Sequence, residues 1–249
     1  MRLYGFVYRE ISLKKEAIGG FISQFLTPIL YFLFFASSLS RTVNFEYHGK
    51  TISYLLYVLP GIIAIQIFYS YPVVSSTTFN DVRFGIIRTS LLGGGSLSGY
   101  ILAKVLVEST VVILVSLFLV FVGVLFLNLY LSSATLLQFV LYLLVSTVFW
   151  ISMGIIIGVK MRGELTRNML FALLNLPTIF TAPVFYLKGS APMWIEFLGK
   201  INPLTYHVVG LREILLLGGA PVEFWIISLL LGMGSVAVSI KLTSEVAPK

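Results

Sequence analysis

The sequence contains no cysteine and little charge. Only 11% of its 249 residues are charged, and cysteine is absent. Without cysteine, neither a disulfide bond nor a thiolate metal site can form. A soluble domain usually carries about 25% charged residues, so this composition cannot cover a water-facing surface. The scarcity of charge therefore excludes an ordinary soluble domain.

Motifs for nucleotide binding and for catalysis are also missing. The Gly93–Gly95 run is not followed by Lys and Ser or Thr, and no GxxxxGK[ST] phosphate loop occurs elsewhere. No HExxH zinc motif occurs, His48 and His207 stand apart, and Asp81 is the single aspartate. We therefore expect a chain that is not an enzyme and that binds no metal or cofactor itself.

Long apolar runs are what the sequence does have. Hydrophobic residues make up 58% of the chain, and the mean hydropathy is +0.98. Within a bilayer, backbone groups must be hydrogen-bonded inside the protein, so only helices or closed barrels can cross it. The continuous apolar run at 111–127 favours helices over the alternating strands of a barrel. The composition predicts an all-α integral membrane protein, with one transmembrane domain over residues 1–249.

Six runs are long enough to cross a bilayer, which takes about 20 apolar residues of helix. The predicted spans are 17–39, 55–78, 100–128, 133–158, 168–187 and 222–241. Between the third and fourth spans we expect a tight turn. Residues 1–16 show the pattern of a helix that lies in the membrane interface, with a frayed leader as the alternative.

The basic residues indicate the orientation. Of the 17 Lys and Arg residues, twelve lie in segments on the same predicted side as the N-terminus. Because Lys and Arg collect in cytoplasmic loops, we expect both termini in the cytoplasm. The net charge of +7 is therefore explained by basic residues in cytoplasmic segments of a membrane protein, and we expect no nucleic-acid partner.

Lys104 and Glu108 are a candidate intramembrane charge pair. They lie four residues apart on the third predicted span and therefore on one helix face. Charge inside a membrane is costly and is usually functional. The alternative is that this helix projects into the cytoplasm and leaves both charges at the interface. In the fourth span, Gly154 and Gly158 allow another helix to approach closely. We expect that helix to belong to the same chain.

Two predicted outer segments differ in kind. Residues 41–54 are expected to form a polar loop, whereas residues 188–221 mix apolar pieces with prolines and glycines. The apolar pieces at 193–198 and 211–217 are too short to span the membrane. We therefore expect short re-entrant helices after the fifth span, packed on protein rather than on lipid.

Asn202 and Pro203 are expected to form a turn between two of these short helices. Proline removes a backbone donor and disfavours helical geometry at the residue before it. Asn202 and Thr205 are candidate local caps, and Tyr206 is expected at the interface. Arg212 is expected to turn toward outer water or toward nearby polar groups.

The same outer segment carries a family resemblance that extends over nearly the whole chain. The run Asn202-Pro203-Leu204-Thr205-Tyr206, followed by Arg212 and Gly218, resembles the signature of second-type ATP-binding-cassette (ABC) exporter permeases, of the daunorubicin-resistance-like branch. The upstream residues Pro183, Phe185, Pro192 and Trp194 match the same signature.

The resemblance implies a transporter of two permeases and two separate ATPase subunits, which bind the ATP and magnesium. It implies that Val82–Leu92 is a cytoplasmic coupling helix that seats in the ATPase. The implied coupling residues are Val82, Arg83, Gly85, Ile86, Ile87 and Leu91. We further interpret the outer segment as a gate formed by Asn202, Pro203, Thr205, Tyr206 and Arg212, with a static lid that only stabilises the fold as the alternative.

The function so implied is export of an amphipathic drug-, lipid- or glycolipid-like substrate from the cytoplasm. The expected location is a prokaryotic inner or plasma membrane, with lipid around the spans. A polysaccharide or teichoic-acid-type export permease is the alternative within this class. A membrane-embedded enzyme and a non-transporting scaffold or channel are the alternatives outside it.

Overall fold

The computed structural model describes residues 3–16, 18–30, 44–187 and 189–246, and within them it is helical apart from one β-hairpin. The first half forms α1 (Leu3–Glu16), α2 (Ile18–Leu30), β1 (Asn44–Tyr47), β2 (Lys50–Ser53), α3 (Tyr54–Phe68), α4 (Ser70–Arg83), α5 (Ile86–Leu92) and α6 (Leu97–Leu127). The second half forms α7 (Ser133–Lys160), α8 (Glu164–Thr181), α9 (Met193–Ile201), α10 (Pro203–Leu217) and α11 (Val222–Ser244).

Four helical segments of the described chain are long and apolar enough to cross a membrane. They are α3 with α4, α6, α7 and α11. Each confirms a predicted span with small shifts of its ends, and the predicted turn after α6 is present, with Asn128 in the left-handed conformation at φ 54°. The chain is a multi-pass membrane protein.

The other two predicted spans have different outcomes. The first, 17–39, coincides with α2 up to Leu30, and the rest of it lies outside the described residues. The fifth, 168–187, coincides with α8, which begins earlier and already ends at Thr181. Because α8 also carries charged residues in its first turn, it falls outside the four apolar segments.

The bundle has two ends, which we name by what they carry. At the α5 end, Arg83 at the end of α4 contacts Glu164 at the start of α8, 3.0 Å apart. At the hairpin end, the hydroxyl of Tyr47 in β1 donates to Glu213 of α10 over 2.7 Å. The hydrophobic core lies between these two ends. Within it, α3 is buried along almost its whole length, as expected of a helix that is apolar on every side.

The hairpin corrects the prediction of a polar loop over residues 41–54. Residues 44–53 form two antiparallel strands in which Tyr47 pairs with Lys50, while residues 41–43 lie outside the described chain. The two-residue turn is made by His48 and Gly49, whose φ angles are 48° and 75°. Such turns require positive φ, for which glycine is suited, and this local signal was present in the sequence.

Two glycines of α7 allow α4 to pack against it at very short range. A Cβ at Gly154 would lie 2.6 Å from the carbonyl oxygen of Tyr71, and one at Gly158 would lie 2.7 Å from that of Ser75. Any side chain at these positions would collide with backbone. The predicted close helix contact is therefore confirmed, and it lies within the chain.

Candidate functional site

A buried ionic cluster joins three helices at the α5 end. Nζ of Lys104 on α6 lies 3.0 Å from Oε1 of Glu10 on α1 and 3.2 Å from Oδ2 of Asp81 on α4. It also donates to the hydroxyl of Thr77 over 3.0 Å. Lys104 and Asp81 are each only 1% exposed. Charges removed from water to this degree need close opposite charges, and here each helix supplies one.

Asp81 has two further partners. The guanidinium of Arg9 donates to both of its carboxylate oxygens, and the hydroxyl of Tyr100 donates to Oδ2 over 2.8 Å. Burial disfavours the charged form of Arg9, but the hydrogen bond and charge of Asp81 outweigh it and raise the pKa of Arg9 above its ordinary value. Helix α1 is thus held to the end of α4 by a carboxylate that accepts from several donors.

Glu108 contacts α1 instead of Lys104. Its Oε2 lies 2.5 Å from Nζ of Lys14, one helical turn beyond the contact between Glu10 and Lys104. The predicted pairing of Lys104 with Glu108 is therefore wrong. Although the two share a face of α6, α1 runs along that face and offers each of them an opposite charge at the same four-residue interval.

The predicted coupling helix begins later than expected. Val82 and Arg83 belong to the end of α4, and Gly85 separates them from α5. Gly85 has φ 68°, a left-handed conformation that a residue with a Cβ adopts only at a cost. The chain therefore turns sharply at this glycine, so the predicted single helix Val82–Leu92 is wrong and α5 starts at Ile86.

The faces of α5 also differ from the prediction. Ile87 is 1% exposed and packs with Phe6 and Tyr100 in a small core, so it faces the protein's own interior. Ile86 and Leu91 are half-buried. The exposed side chains include Arg88 and Leu92 on α5 and Phe84 just before it, and Phe84 and Leu92 are 68% and 72% exposed. An amphipathic helix with exposed apolar and basic side chains offers a docking surface.

At the hairpin end, Arg212 is buried rather than turned to water. It is 2% exposed, its Nη2 donates to the carbonyl of Pro183 over 2.8 Å, and its Nε donates to that of Tyr57 over 3.3 Å. Its Cζ lies 3.8 Å from the centre of the Tyr57 ring. Of the two predicted environments, nearby polar groups are the one found. The guanidinium therefore connects the loop after α8 to α3. Arginine suits this role because its planar group can stack on a ring while it donates several hydrogen bonds.

Asn202 joins α9 and α10 as predicted. Its Oδ1 accepts from the backbone N–H of Leu204 over 2.9 Å, and its Nδ2 donates to the carbonyl of Thr178 over 2.7 Å. Pro203 occupies the first turn of α10, where proline is tolerated. Thr205 does not act as a second cap, because its hydroxyl is buried without a hydrogen-bond partner among the described residues. Among the described residues, Asn202 is therefore the side chain that caps the start of α10.

Tyr206 is half-buried beside a small cavity. Its hydroxyl donates to the carbonyl of Lys200 over 2.7 Å, and its own carbonyl accepts from Tyr142 over 3.1 Å. The cavity, of about 100 Å³, also adjoins Glu196 and Thr205. The predicted gate residues therefore lie together around α9 and α10, except that Arg212 faces α3.

Comparisons with known proteins agree with this architecture. Residues 3–216 match the family of ABC-2 type transporters. The chain belongs to the ABC-2 type transporter family. It is similar to the "Putative transport permease ycf38" of Cyanophora paradoxa, with 24% identity over 205 residues, covering 81% of this chain and 69% of the relative. The similarly named protein of Porphyra purpurea is 30% identical over 88 residues, or 34% of this chain and 29% of the relative.

As an ABC-2 permease, the chain is a membrane transport subunit. The predicted class is thus confirmed, and the site residues described above lie at both ends of its bundle. Sequence reasoning missed Glu10 and Lys14 as partners of α6. Their spacing of four residues matched that of Lys104 and Glu108, and this was the available signal.

Two further buried groups were also missed. His207 is fully buried, and its Nδ1 accepts from Nε1 of Trp150 over 3.0 Å. Arg167 on α8 is 7% exposed, and its Cζ lies 4.8 Å from the centre of the Phe79 ring. Nothing in the periodicity of the sequence separated these residues from interfacial ones.

Proposed function

We propose that this chain is the permease of an ABC exporter that moves an amphipathic drug-, lipid- or glycolipid-like substrate out of the cytoplasm. The whole of residues 1–249 forms its single transmembrane domain. Two permeases and two ABC ATPases make the working transporter, and the ATPases bind ATP and magnesium. The membrane is a prokaryotic inner or plasma membrane.

The observation that carries this proposal is the free surface of α5. Family permeases of the ABC-2 type work with an ABC ATPase, which supplies the energy. In this chain, α5 is anchored by Ile87 and presents Arg88 and Leu92 outward, and Phe84, just before its first turn, is exposed beside them. Two largely exposed apolar side chains beside a cation, at the end of a spanning segment, fit a groove in a partner.

Helix directions support six spans with both termini in the cytoplasm. The end of α7 lies at the α5 end, since Arg162, just after α7, lines a pocket together with Arg83. Lys160 at the end of α7 contacts Glu245 just beyond α11, so α11 also ends there and begins at the hairpin end. The start of α8 contacts Arg83, and residues just after it contact Arg212, so α8 runs between the two ends. With α2 as the first span, the chain crosses six times and α5 faces the cytoplasm.

The exposed face of α8 supports a route between two permeases. Apolar side chains recur there at intervals of three or four residues and form one stripe. They are Leu165, Met169, Leu173, Leu176 and Phe180, each at least 55% exposed. A second copy, or a related permease, covers this stripe, and the substrate passes between the two. The segment around Asn202–Tyr206 closes the hairpin end of the route, as an outer gate.

The experiment that tests the proposal is co-purification with the ABC ATPase, using three single aspartate variants. Phe84→Asp and Leu92→Asp should leave the permease folded and abolish retention of the ATPase, because each places a charge in an apolar contact. Ile87→Asp should instead unfold the α5 end and lower the thermal midpoint of the permease itself. Normal retention and normal ATP-driven transport in both surface variants would show that α5 is not the docking helix.

A further inference from the structure

A basic pocket lies at the α5 end, next to the proposed docking helix. It is formed where α4 ends, α7 ends and α8 begins, and it encloses about 660 Å³. Among the residues that line it are Phe79, Arg83, Arg162 and Glu164. Arg83 is paired with Glu164, 3.0 Å away, whereas Arg162 is exposed and has no ion-pair partner within the described chain.

Arg167 lies behind the aromatic wall of this pocket. Its guanidinium is stacked on Phe79, with Cζ 4.8 Å from the ring centre, and also lies 6.0 Å from the centre of the Phe171 ring. The residue is 7% exposed, and its Nε and Nη1 are buried without a hydrogen-bond partner among the described residues. A buried cation held only by aromatic rings is costly, and a bound anion offsets that cost.

The start of α8 adds to the positive field. Gly163 and Glu164, at the first positions of α8, line the pocket, and Gly163 provides no side-chain cap. Backbone N–H groups in the first turn of a helix are unpaired and carry a partial positive charge. Two arginines, Arg83 and Arg162, and a helix start therefore line this space, and Arg167 is stacked on its aromatic wall. Glu164 is the one carboxylate among the described lining residues, and Arg83 already neutralises it.

We propose that this pocket, bounded by Arg83, Arg162 and the Phe79–Arg167 stack, receives the phosphate headgroup of an amphipathic substrate at the cytoplasmic entrance of the route. The guanidinium group suits phosphate because it donates two parallel hydrogen bonds. The apolar stripe of α8 starts at Leu165, directly after Glu164, and receives the chain of the same molecule. This inference rests on the proposed function, which leaves open the charge of the substrate.

The test uses the full-length permease in nanodiscs and radiolabelled dodecyl phosphate as the probe. Dodecyl phosphate should bind saturably. Unlabelled dodecyltrimethylammonium and dodecanol, which have the same chain without a negative charge, should not compete at matched concentrations. Inorganic phosphate should compete only weakly, because it lacks the chain that the α8 stripe receives. Equal competition by inorganic phosphate, or by the cationic amphiphile, would overturn the proposal.

Two charge variants of the pocket should change the affinity for dodecyl phosphate in opposite directions. Arg162→Gln should weaken binding of dodecyl phosphate about tenfold, the equivalent of one charge-assisted hydrogen bond. Glu164→Gln should strengthen binding several-fold, because it removes the only carboxylate that lines the pocket and releases Arg83. Lys241→Gln, an exposed cation of α11 outside the pocket, is the matched control and should change nothing. Unchanged affinity in both pocket variants would refute the site.

Arg167 needs a separate measurement because its loss can unfold α8. Arg167→Gln should weaken binding of dodecyl phosphate by no more than Arg162→Gln, while Arg167→Lys retains the charge and weakens it less, in samples whose thermal midpoints are within a few degrees of the unchanged protein. ATPase retention is measured in parallel. Arginine variants that lose the ATPase but bind dodecyl phosphate normally would show that the pocket is a docking surface, and would leave the proposed export function intact.

Discussion

Lys104 of α6 and Asp81 of α4 form an ion pair with 3.2 Å between Nζ and Oδ2, and both side chains are 1% exposed. Asp81 lies two residues before the end of α4, so this pair connects a long transmembrane helix to the start of the α5 turn. Glu10 brings α1 to the same lysine. The buried cation of Lys104 therefore connects three helices, α1, α4 and α6.

Replacing Lys104 with Met should strongly destabilise the α5 end. Glu10 and Asp81 would keep Arg9 as a partner but lose the fully buried cation between them. Loss of one partner from a buried pair typically costs about 3–5 kcal/mol, and the remaining contact with Arg9 places the expected cost at the lower end of that range. Lys160→Met is the matched control, because Lys160 and Glu245 form an exposed pair worth about 1 kcal/mol or less. Thermal unfolding in detergent measures both. Equal midpoints for the two variants would show that the cluster adds no stability.

Replacing Gly85 with Ala should disturb the turn into α5 through the backbone alone. No atom lies within 4 Å of the added Cβ, but the φ of 68° costs an L-residue about 1–2 kcal/mol. We expect weaker retention of the ATPase, with partial recovery in Gly85→Asn because asparagine tolerates the left-handed region. Gly163→Ala, where φ is −152°, is the control. If both alanine variants retain the ATPase equally, the turn geometry is not required.

Replacing Arg212 with Lys should not preserve its role. The ammonium keeps the buried charge but cannot reach the carbonyls of Tyr57 and Pro183 together, nor stack flat on the Tyr57 ring. We expect a loss of about 3–5 kcal/mol, the range for a buried charge that loses its partners. Arg212→Met should be no worse than Arg212→Lys, since it removes the charge. A thermal midpoint of the Lys variant equal to that of the unchanged protein would contradict this.

Single cysteines should report the topology, because the chain contains none of its own. With impermeant thiol reagents on intact cells, cysteine at His48 or Gly189 should react. Cysteine at Arg88 or Arg162 should react only after the membrane is opened, since α5 and the start of α8 lie on the cytoplasmic side of the proposed arrangement. Labelling at Arg162 from outside would reverse that arrangement.

Replacing Tyr206 with Ala should impair the proposed outer gate without unfolding it. The side-chain hydroxyl bonds only to the carbonyl of Lys200, while the backbone contact to Tyr142 survives the change. In reconstituted vesicles, we expect normal assembly and basal ATP hydrolysis with reduced export or increased ion leak. Tyr206→Phe separates the ring from the hydroxyl. Unchanged transport and leak in the alanine variant would exclude this tyrosine from a gate.

The apolar runs predicted the long helices because length and hydropathy decide membrane insertion almost locally. The ends of α6 and α7 came within a few residues of the prediction for that reason. The Asn202-Pro203 turn was predictable too, since proline acts on its own neighbourhood. These features depend on few residues that are adjacent in sequence.

The charge partners were not predictable in the same way. Lys104 and Glu108 can pair with each other on an isolated helix, and only the position of α1 decides otherwise. Ile87 looked equivalent to Ile86 on α5, and only the packing of Phe6 shows which of them faces inward. Such choices depend on residues far apart in sequence, which a single sequence does not bring together.

The glycines at 154 and 158 have a mechanical consequence. They bring the backbone of α4 against α7 so closely that neither helix has room to slide independently of the other. A push delivered to α5 by a partner therefore cannot be absorbed between α4 and α7. It must be taken up where the chain can bend, at Gly85 after α4 or at Tyr69, the residue between α3 and α4. Helices α4 and α7 therefore move as one rigid unit, and the chain bends at either end of α4.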